Sequence, residues 1–191
     1  MLLTHPYVPG PRLLLPALEG ALVLGLLVAS PRLRPRVGRL ERSAALSLVG
    51  LVAVVNAATL VALVRRLVDG GQTDGRALLA AAAGVWLTNV VVFGLAYWEL
   101  DRGGPHARLD PAGRRPPDLL FPQDTDPSVA RPDWRPGFAD YLFTSLTAST
   151  AFSPTDVLPL TPRCKLLLGL QSLVSLLTVG LVAARAVNVL T

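Results

Sequence analysis

The stretch that decides the fold is residues 138–181, FADYLFTSLTASTAFSPTDVLPLTPRCKLLLGLQSLVSLLTVGL. It begins with a short amphiphilic run, Phe138 to Ser149, which is too short to cross a bilayer. A polar segment with three prolines follows, Thr150 to Pro162, and a long apolar helix is predicted from Cys164 to about Leu190. A half-span, a polar hairpin and a full span in this order predict a re-entrant loop. Such backbone is tolerated at membrane depth only where protein or a water-filled cavity surrounds it.

Two short motifs flank the centre of the polar segment. One is Thr147-Ala148-Ser149-Thr150, and the other is Asp156-x-x-Pro159-x-Thr161. Together they resemble the pore module of the potassium-channel superfamily, whose signature runs roughly T-x-T-T-V-G-Y-G-D-x-x-P-x-T. The resemblance covers residues 138–191. It implies a homotetramer in which each chain contributes a pore helix, a filter segment and an inner helix.

The centre of the motif departs from this pattern. Where the family has V-G-Y-G, this chain has five residues without glycine, Ala151 to Thr155. A potassium filter needs glycines to reach the backbone angles that point its carbonyls inward, and Phe152 and Pro154 cannot freely adopt them. This argues against potassium selectivity of the family type. The candidate ion-pathway residues, rich in hydroxyl groups and ending in an acid that favours cations, are Thr147, Ser149, Thr150, Ala151, Phe152, Ser153, Pro154, Thr155 and Asp156.

The composition places the chain among membrane proteins. It is 51% hydrophobic and only 16% charged, against roughly 25% charged residues in soluble domains. The net charge of +5 comes from basic residues that flank apolar runs, so we expect lipid headgroups rather than nucleic acid as their partners. One cysteine and two histidines form no disulfide and no metal-ligand cluster, and we expect no cofactor besides permeant monovalent cations. We expect the protein in the plasma (inner) membrane.

The sequence predicts an all-α integral membrane protein with four transmembrane helices, and with a re-entrant pore helix and filter-like loop before the last helix. Residues 1–98 contain three predicted spans, 13–29, 44–64 and 77–98. Residues 99–137 form a loop rich in Pro, Gly, Asp and Arg, which is either a flexible cap or a structured lid. Residues 138–191 form the pore-like module.

An arginine-rich loop, residues 31–43, gives the strongest topological signal. Pro31 and Pro35 break any helix there, which favours an orientation signal or a contact with anionic lipid over a voltage-sensing array. Its five arginines indicate the cytoplasmic side, and residues 99–137 share that side if both intervening spans cross. The half-span would then enter from the cytoplasm, whereas the family's pore loop enters from outside. The sequence leaves this conflict open.

Gln171, Ser175 and Thr178 fall on one face of the last predicted helix. In an inner pore helix this face would line the cavity. In any other bundle it would hold helices together, so the stripe is consistent with a pore without requiring one.

Two functions remain open. The first is a homotetrameric, cation-permeable pore-loop ion channel with an atypical filter around Thr150–Asp156. The second is a non-conducting membrane scaffold or accessory subunit on a decayed fold of the same kind. An enzyme is not expected, because no nucleophile-base arrangement, paired carboxylates in a span or phosphate-binding glycine loop is present.

Overall fold

The computed structural model describes residues 39–68, 75–109, 115–132, 134–150 and 156–190. The first predicted span, residues 13–29, and the filter-like residues 151–155 lie outside this part of the chain. The described part is mostly helical. Its helices are α1 (Arg39–Val68), α2 (Gly75–Leu100), α3 (Pro105–Leu109), α4 (Pro122–Thr125), α5 (Phe138–Thr150) and α6 (Pro162–Leu190), and its strands are β1 (Leu119–Leu120) and β2 (Leu158–Pro159).

Three helices are long and apolar enough to cross a membrane. Their apolar segments are Arg42–Arg65 in α1, Leu78–Gly103 reaching just beyond α2, and Pro162–Ala184 in α6. The prediction of an integral membrane protein is consistent with these helices. The helix α1 begins at Arg39, well before the predicted start at Ala44, because the last helix-breaking proline of the arginine-rich loop is Pro35.

The helices α1 and α2 are antiparallel. Near the start of α1, Arg42 donates a 3.0 Å hydrogen bond to the carbonyl of Glu99, at the end of α2. Near the middle, Asn56 Nδ2 donates to the Val85 carbonyl at 3.2 Å. The start of α1 therefore lies at the same end of the bundle as the polar residues after α2. We call this the polar-loop end.

The short helix α5 also runs antiparallel to α2. The Phe138 ring packs edge-on against Trp98, with centroids 5.8 Å apart. At the other end of α5, Trp86 Nε1 donates to the Ser149 carbonyl at 3.4 Å. Thirteen residues give α5 a length of about 20 Å, less than the roughly 30 Å of a bilayer's hydrocarbon core. It therefore ends level with the middle of α2.

The long helix α6 follows the same direction as α5. Its Gln171 contacts Tyr97, and one turn later its Ser175 contacts Asn89, so α6 descends along α2 from the polar-loop end. Because α5 and α6 both start at that end, the chain must return to it between Thr150 and Pro162.

A short antiparallel sheet joins β2, which lies between α5 and α6, to β1 of the polar loop. Leu119 pairs with Pro159, and Leu120 pairs with Leu158. The Leu160 amide adds a 2.8 Å hydrogen bond to the Asp118 carbonyl. One buried cluster lies beneath this sheet and includes Leu95, Leu119 and Val157, and a second lies at the opposite end of the bundle around Leu60, Leu78 and Leu181.

Candidate pore-loop site

Four of the nine predicted ion-pathway residues lie in the described chain: Thr147, Ser149, Thr150 and Asp156. The Thr147 hydroxyl lies 3.0 Å from the Phe143 carbonyl, and the Thr150 hydroxyl donates to the Thr147 carbonyl at 2.9 Å. Both hydroxyls are therefore used within α5. Thr150 and Asp156 are exposed and stand on either side of residues 151–155.

Ser149 has a different environment. Its side chain is buried, and its Oγ lies 2.6 Å from Gln171 Nε2. This contact occupies the Ser149 hydroxyl, and the place of Ser149 along an ion pathway stays a prediction. The structure thus separates Ser149 from the exposed Thr150, although the sequence motif treats them alike.

The carbonyls at the end of α5 receive hydrogen bonds from side chains. A helix leaves its last four carbonyls without intrahelical partners, and each unpaired carbonyl in hydrocarbon costs several kcal/mol. Three of these carbonyls have donors here, one from α5 itself, one from α6 and one from α2. The pairs are Thr150 Oγ1 to Thr147 O at 2.9 Å, Ser172 Oγ to Ala148 O at 3.3 Å and Trp86 Nε1 to Ser149 O at 3.4 Å.

Gln171 is the centre of a buried polar cluster that joins three helices. Its Nε2 lies 2.7 Å from the Ser145 carbonyl, 2.6 Å from Ser145 Oγ and 2.6 Å from Ser149 Oγ, all on α5. Its Oε1 accepts a hydrogen bond from the Tyr97 hydroxyl on α2. Asn89 Nδ2 completes the cluster by donating to the Gln171 carbonyl at 3.1 Å.

The predicted cavity face of α6 is packed inside the chain. Gln171, Ser175 and Thr178 are 0%, 1% and 2% exposed. Asn89 donates to Ser175 Oγ at 2.8 Å, and the Thr178 hydroxyl bonds the Val174 carbonyl of its own helix. These side chains therefore serve as contacts between or within helices, while their place along an ion pathway stays a prediction. Between Leu166 and Val179 the large side chains that α6 exposes are apolar: Leu166, Leu170, Leu173, Leu176, Leu177 and Val179.

Asp101, immediately after α2, organises the polar-loop end. Its carboxylate is fully buried, and Oδ1 accepts backbone hydrogen bonds from Asp118 at 2.8 Å and Leu119 at 3.1 Å. Its Oδ2 accepts the Tyr141 hydroxyl at 2.6 Å. This carboxylate thus ties the end of α2 to β1 and to α5. In the sequence Asp101 is one of several aspartates of the polar loop, and the one available signal was its position directly after a predicted span.

Arg108 closes the same cluster from the side of the loop. Its guanidinium donates to the Trp98 carbonyl at 2.8 Å and to the Asp101 carbonyl at 2.9 Å. It also lies over the Tyr141 ring, 5.0 Å from the centroid. Burial lowers the pKa of Arg108, and the nearby Asp101 carboxylate opposes that shift. These contacts make the described part of the polar loop a folded structure fixed to the membrane helices.

Asp118 and Arg163 form a bidentate ion pair between the polar loop and the start of α6. Arg163 Nε lies 2.9 Å from Asp118 Oδ1, and its second nitrogen bonds Oδ2. Burial raises the pKa of Asp118, but the hydrogen bonds and charge of Arg163, with help from Thr161, outweigh it and hold the pKa below its usual range. The carboxylates of this end do not form a metal site: in the described ranges no group of three or more His, Cys, Asp or Glu side chains could hold an ion.

Comparisons with protein-family models, with curated proteins and with solved structures find no match to this chain. The described structure defines a mostly helical protein with three helices that could cross a membrane. Beside them lies the short helix α5, whose end is held by Trp86, Gln171 and Ser172.

Proposed function

We propose that this chain is one subunit of a homotetrameric pore-loop channel that passes cations. In this proposal α5 enters the membrane part-way, and the chain then returns to the side from which it entered. The observation that carries the proposal is the shared direction of α5 and α6. Both begin at the polar-loop end, and α5 ends beside Trp86, near the middle of α2.

The capped end of α5 supports a helix that stops inside the bilayer. Irregular backbone survives at that depth only where protein or water satisfies its polar groups. Trp86 and Ser172 supply donors from the two neighbouring spans. A soluble loop helix would have no need of such partners, because water would serve its carbonyls.

The same helix end favours cations. A helix carries a partial negative charge at its C-terminus, and α5 directs that terminus toward the middle of the membrane. Thr150 and Asp156 are exposed on either side of the filter-like residues, so they are the polar groups of the described chain that an ion would meet. One such loop cannot surround an ion by itself, which is why the proposal requires several subunits around an axis.

The proposal is tested by cation flux into liposomes that contain the purified protein. Asp156→Asn is expected to lower cation flux, or to lower the preference for cations over anions in reversal-potential measurements, because it removes an exposed acid next to the pathway. Asp126→Asn is the matched control, since Asp126 is an exposed acid of the polar loop that bonds Ser128. Equal flux and selectivity in both variants and the wild type would remove Asp156 from the mechanism.

A second candidate is a non-conducting scaffold or accessory subunit. The observation that favours it is the use of polar groups on α6: Gln171, Ser175 and Thr178 are buried within one chain, while the large side chains exposed between Leu166 and Val179 are apolar. An axis lined by those apolar side chains alone would be dry. A stable tetramer that passes no ions under any membrane voltage, and whose Thr150→Cys thiol stays unreactive to charged reagents, would favour this candidate.

A further inference from the structure

We infer that Gln171 is a positioning residue that fixes the end of α5. The inference rests on the proposed function for its link to ion selectivity. It assigns Gln171 a different role from the cavity-lining one that its place on the last helix suggests. Gln171 acts on the pathway through α5 rather than by touching ions.

The contacts of Gln171 converge on one face of α5. Ser145 and Ser149 are four residues apart and so lie on the same face of a helix. Gln171 Nε2 lies 2.6 to 2.7 Å from three oxygen atoms of these two residues. Ser149 is the penultimate residue of α5, so this contact holds the last turn of the helix.

Tyr97 determines which way the amide of Gln171 faces. A tyrosine hydroxyl that bonds Oε1 requires the oxygen to lie toward α2, which leaves the amide nitrogen toward α5. The two hydrogens of Nε2 are then committed to α5, and the side chain is 0% exposed. Gln171 cannot turn toward a water-filled axis without giving up these bonds.

Ser172, which follows Gln171 on α6, also contacts the end of α5. Its hydroxyl donates to the Ala148 carbonyl at 3.3 Å, so two consecutive residues of α6 hold the last turn of α5. Thr178 offers a matched comparison on the same helix. It is equally buried, but its hydroxyl bonds only the Val174 carbonyl of α6 in the described contacts.

The test uses the full-length chain with Cys164→Ala and Thr150→Cys, so that the only thiol lies at the exposed end of α5. The rate at which a charged, membrane-impermeant methanethiosulfonate modifies residue 150 reports the placement of that end. Gln171→Met keeps the side-chain length but removes both the donor and the acceptor. We expect it to change the rate by about threefold or more, the population shift that a typical hydrogen bond in a membrane protein supports. Thr178→Val should leave the rate unchanged.

Selectivity provides the second readout. In liposomes, Gln171→Met should shift the cation reversal potential while native mass spectrometry shows the wild-type subunit number. A second variant, Ser149→Ala, removes one partner of Gln171 and leaves α6 intact. It should change the thiol modification rate in the same direction as Gln171→Met. It also keeps the test valid if Gln171→Met does not fold. Unchanged thiol rates in every folded variant of this pair would overturn the inference. If the wild type passes no ions, the proposed function fails, and the thiol rate alone still decides the role of Gln171.

Discussion

The hydroxyl of Tyr141, in the first turn of α5, donates a 2.6 Å hydrogen bond to the carboxylate of Asp101, which directly follows α2. Both side chains are fully buried. The bond spans 40 positions of the sequence and joins the end of α2 to the start of α5. The place where α5 enters the bundle is therefore fixed by the polar loop as well as by helix packing.

Removal of this hydroxyl is expected to destabilise the fold. Tyr141→Phe keeps the ring that packs against Phe121 and lies beneath Arg108, but it deprives the buried Asp101 carboxylate of one donor. We expect a loss of about 1 to 2 kcal/mol in the free energy of unfolding. Denaturant titration in detergent micelles measures it, with Thr59→Val as control, because the exposed Thr59 hydroxyl bonds only the Val55 carbonyl of its own helix among the described contacts. An equal effect of both substitutions would contradict a special role for Asp101.

The Asp118–Arg163 ion pair predicts a defined pH dependence. The pKa of Asp118 is lower in the folded protein than in the unfolded chain, where an aspartate has a pKa of about 3.9. Its contribution to stability is therefore complete above about pH 4 and is lost as the pH falls through the lower, folded pKa. Asp118→Asn should be less stable than the wild type by an amount that is constant from pH 5 to pH 8, as read from unfolding titrations.

Below about pH 4 the two proteins should approach each other in stability, because the wild-type carboxylate becomes neutral as well. The difference at neutral pH should be modest, about 1 kcal/mol, since the Arg163 side chain is more than half exposed and solvent screens the pair. A stability difference between the wild type and Asp118→Asn that grows below about pH 4 would contradict the Asp118–Arg163 ion pair.

A close approach of helices at Gly94 gives a test of the packing of α5. A Cβ atom at Gly94 would lie 3.2 Å from the Leu142 Cα and 3.3 Å from its Cδ1. Gly94→Val should push α5 away from α2 and cost about 1 to 3 kcal/mol in unfolding titrations. Gly84 on the same helix is the matched control, because a Cβ there would meet no atom within 4 Å. Gly84→Val should change stability by less than about 0.5 kcal/mol.

The shared direction of α5 and α6 predicts the outcome of a labelling experiment. Ala139, at the start of α5, and Lys165, at the start of α6, are both exposed. Single cysteines at these positions, in the Cys164→Ala background, should react with an impermeant thiol reagent from the same side of sealed vesicles. Reaction from opposite sides would mean that α5 crosses the membrane. The side from which the reagent reacts also decides between two orientations. The arginines of residues 31–43 assign the starts of α5 and α6 to the cytoplasm, whereas the pore loop of the potassium-channel family enters from outside.

The sequence predicted the helices well because hydrophobic length and proline positions act locally. The half-span of residues 138–149 and the full span after Cys164 correspond to α5, Phe138–Thr150, and α6, Pro162–Leu190. The span of residues 77–98 corresponds to α2, Gly75–Leu100. The tight helix contact at Gly94 could not be predicted. A glycine's partner depends on the helix opposite, which the sequence of one helix does not specify.

The contacts of the candidate site could not be read from the sequence. Gln171 meets Ser149, Asn89 meets Ser175, and Asp101 meets Tyr141 through pairings between distant positions. Periodicity placed Gln171, Ser175 and Thr178 on one face but could not say what that face touches. The loop composition likewise gave no hint that Asp101 and Asp118 would be buried, since a lone aspartate between helices is usually solvated.

In the proposed channel several copies of α5 and α6 surround one axis, so the subunit number of the purified protein tests the proposal. Native mass spectrometry from mild detergents measures it. The proposal predicts four copies, stable across several detergents. A stable monomer, dimer or trimer would leave each pore loop without the partners that a fourfold pathway needs, and it would contradict the channel.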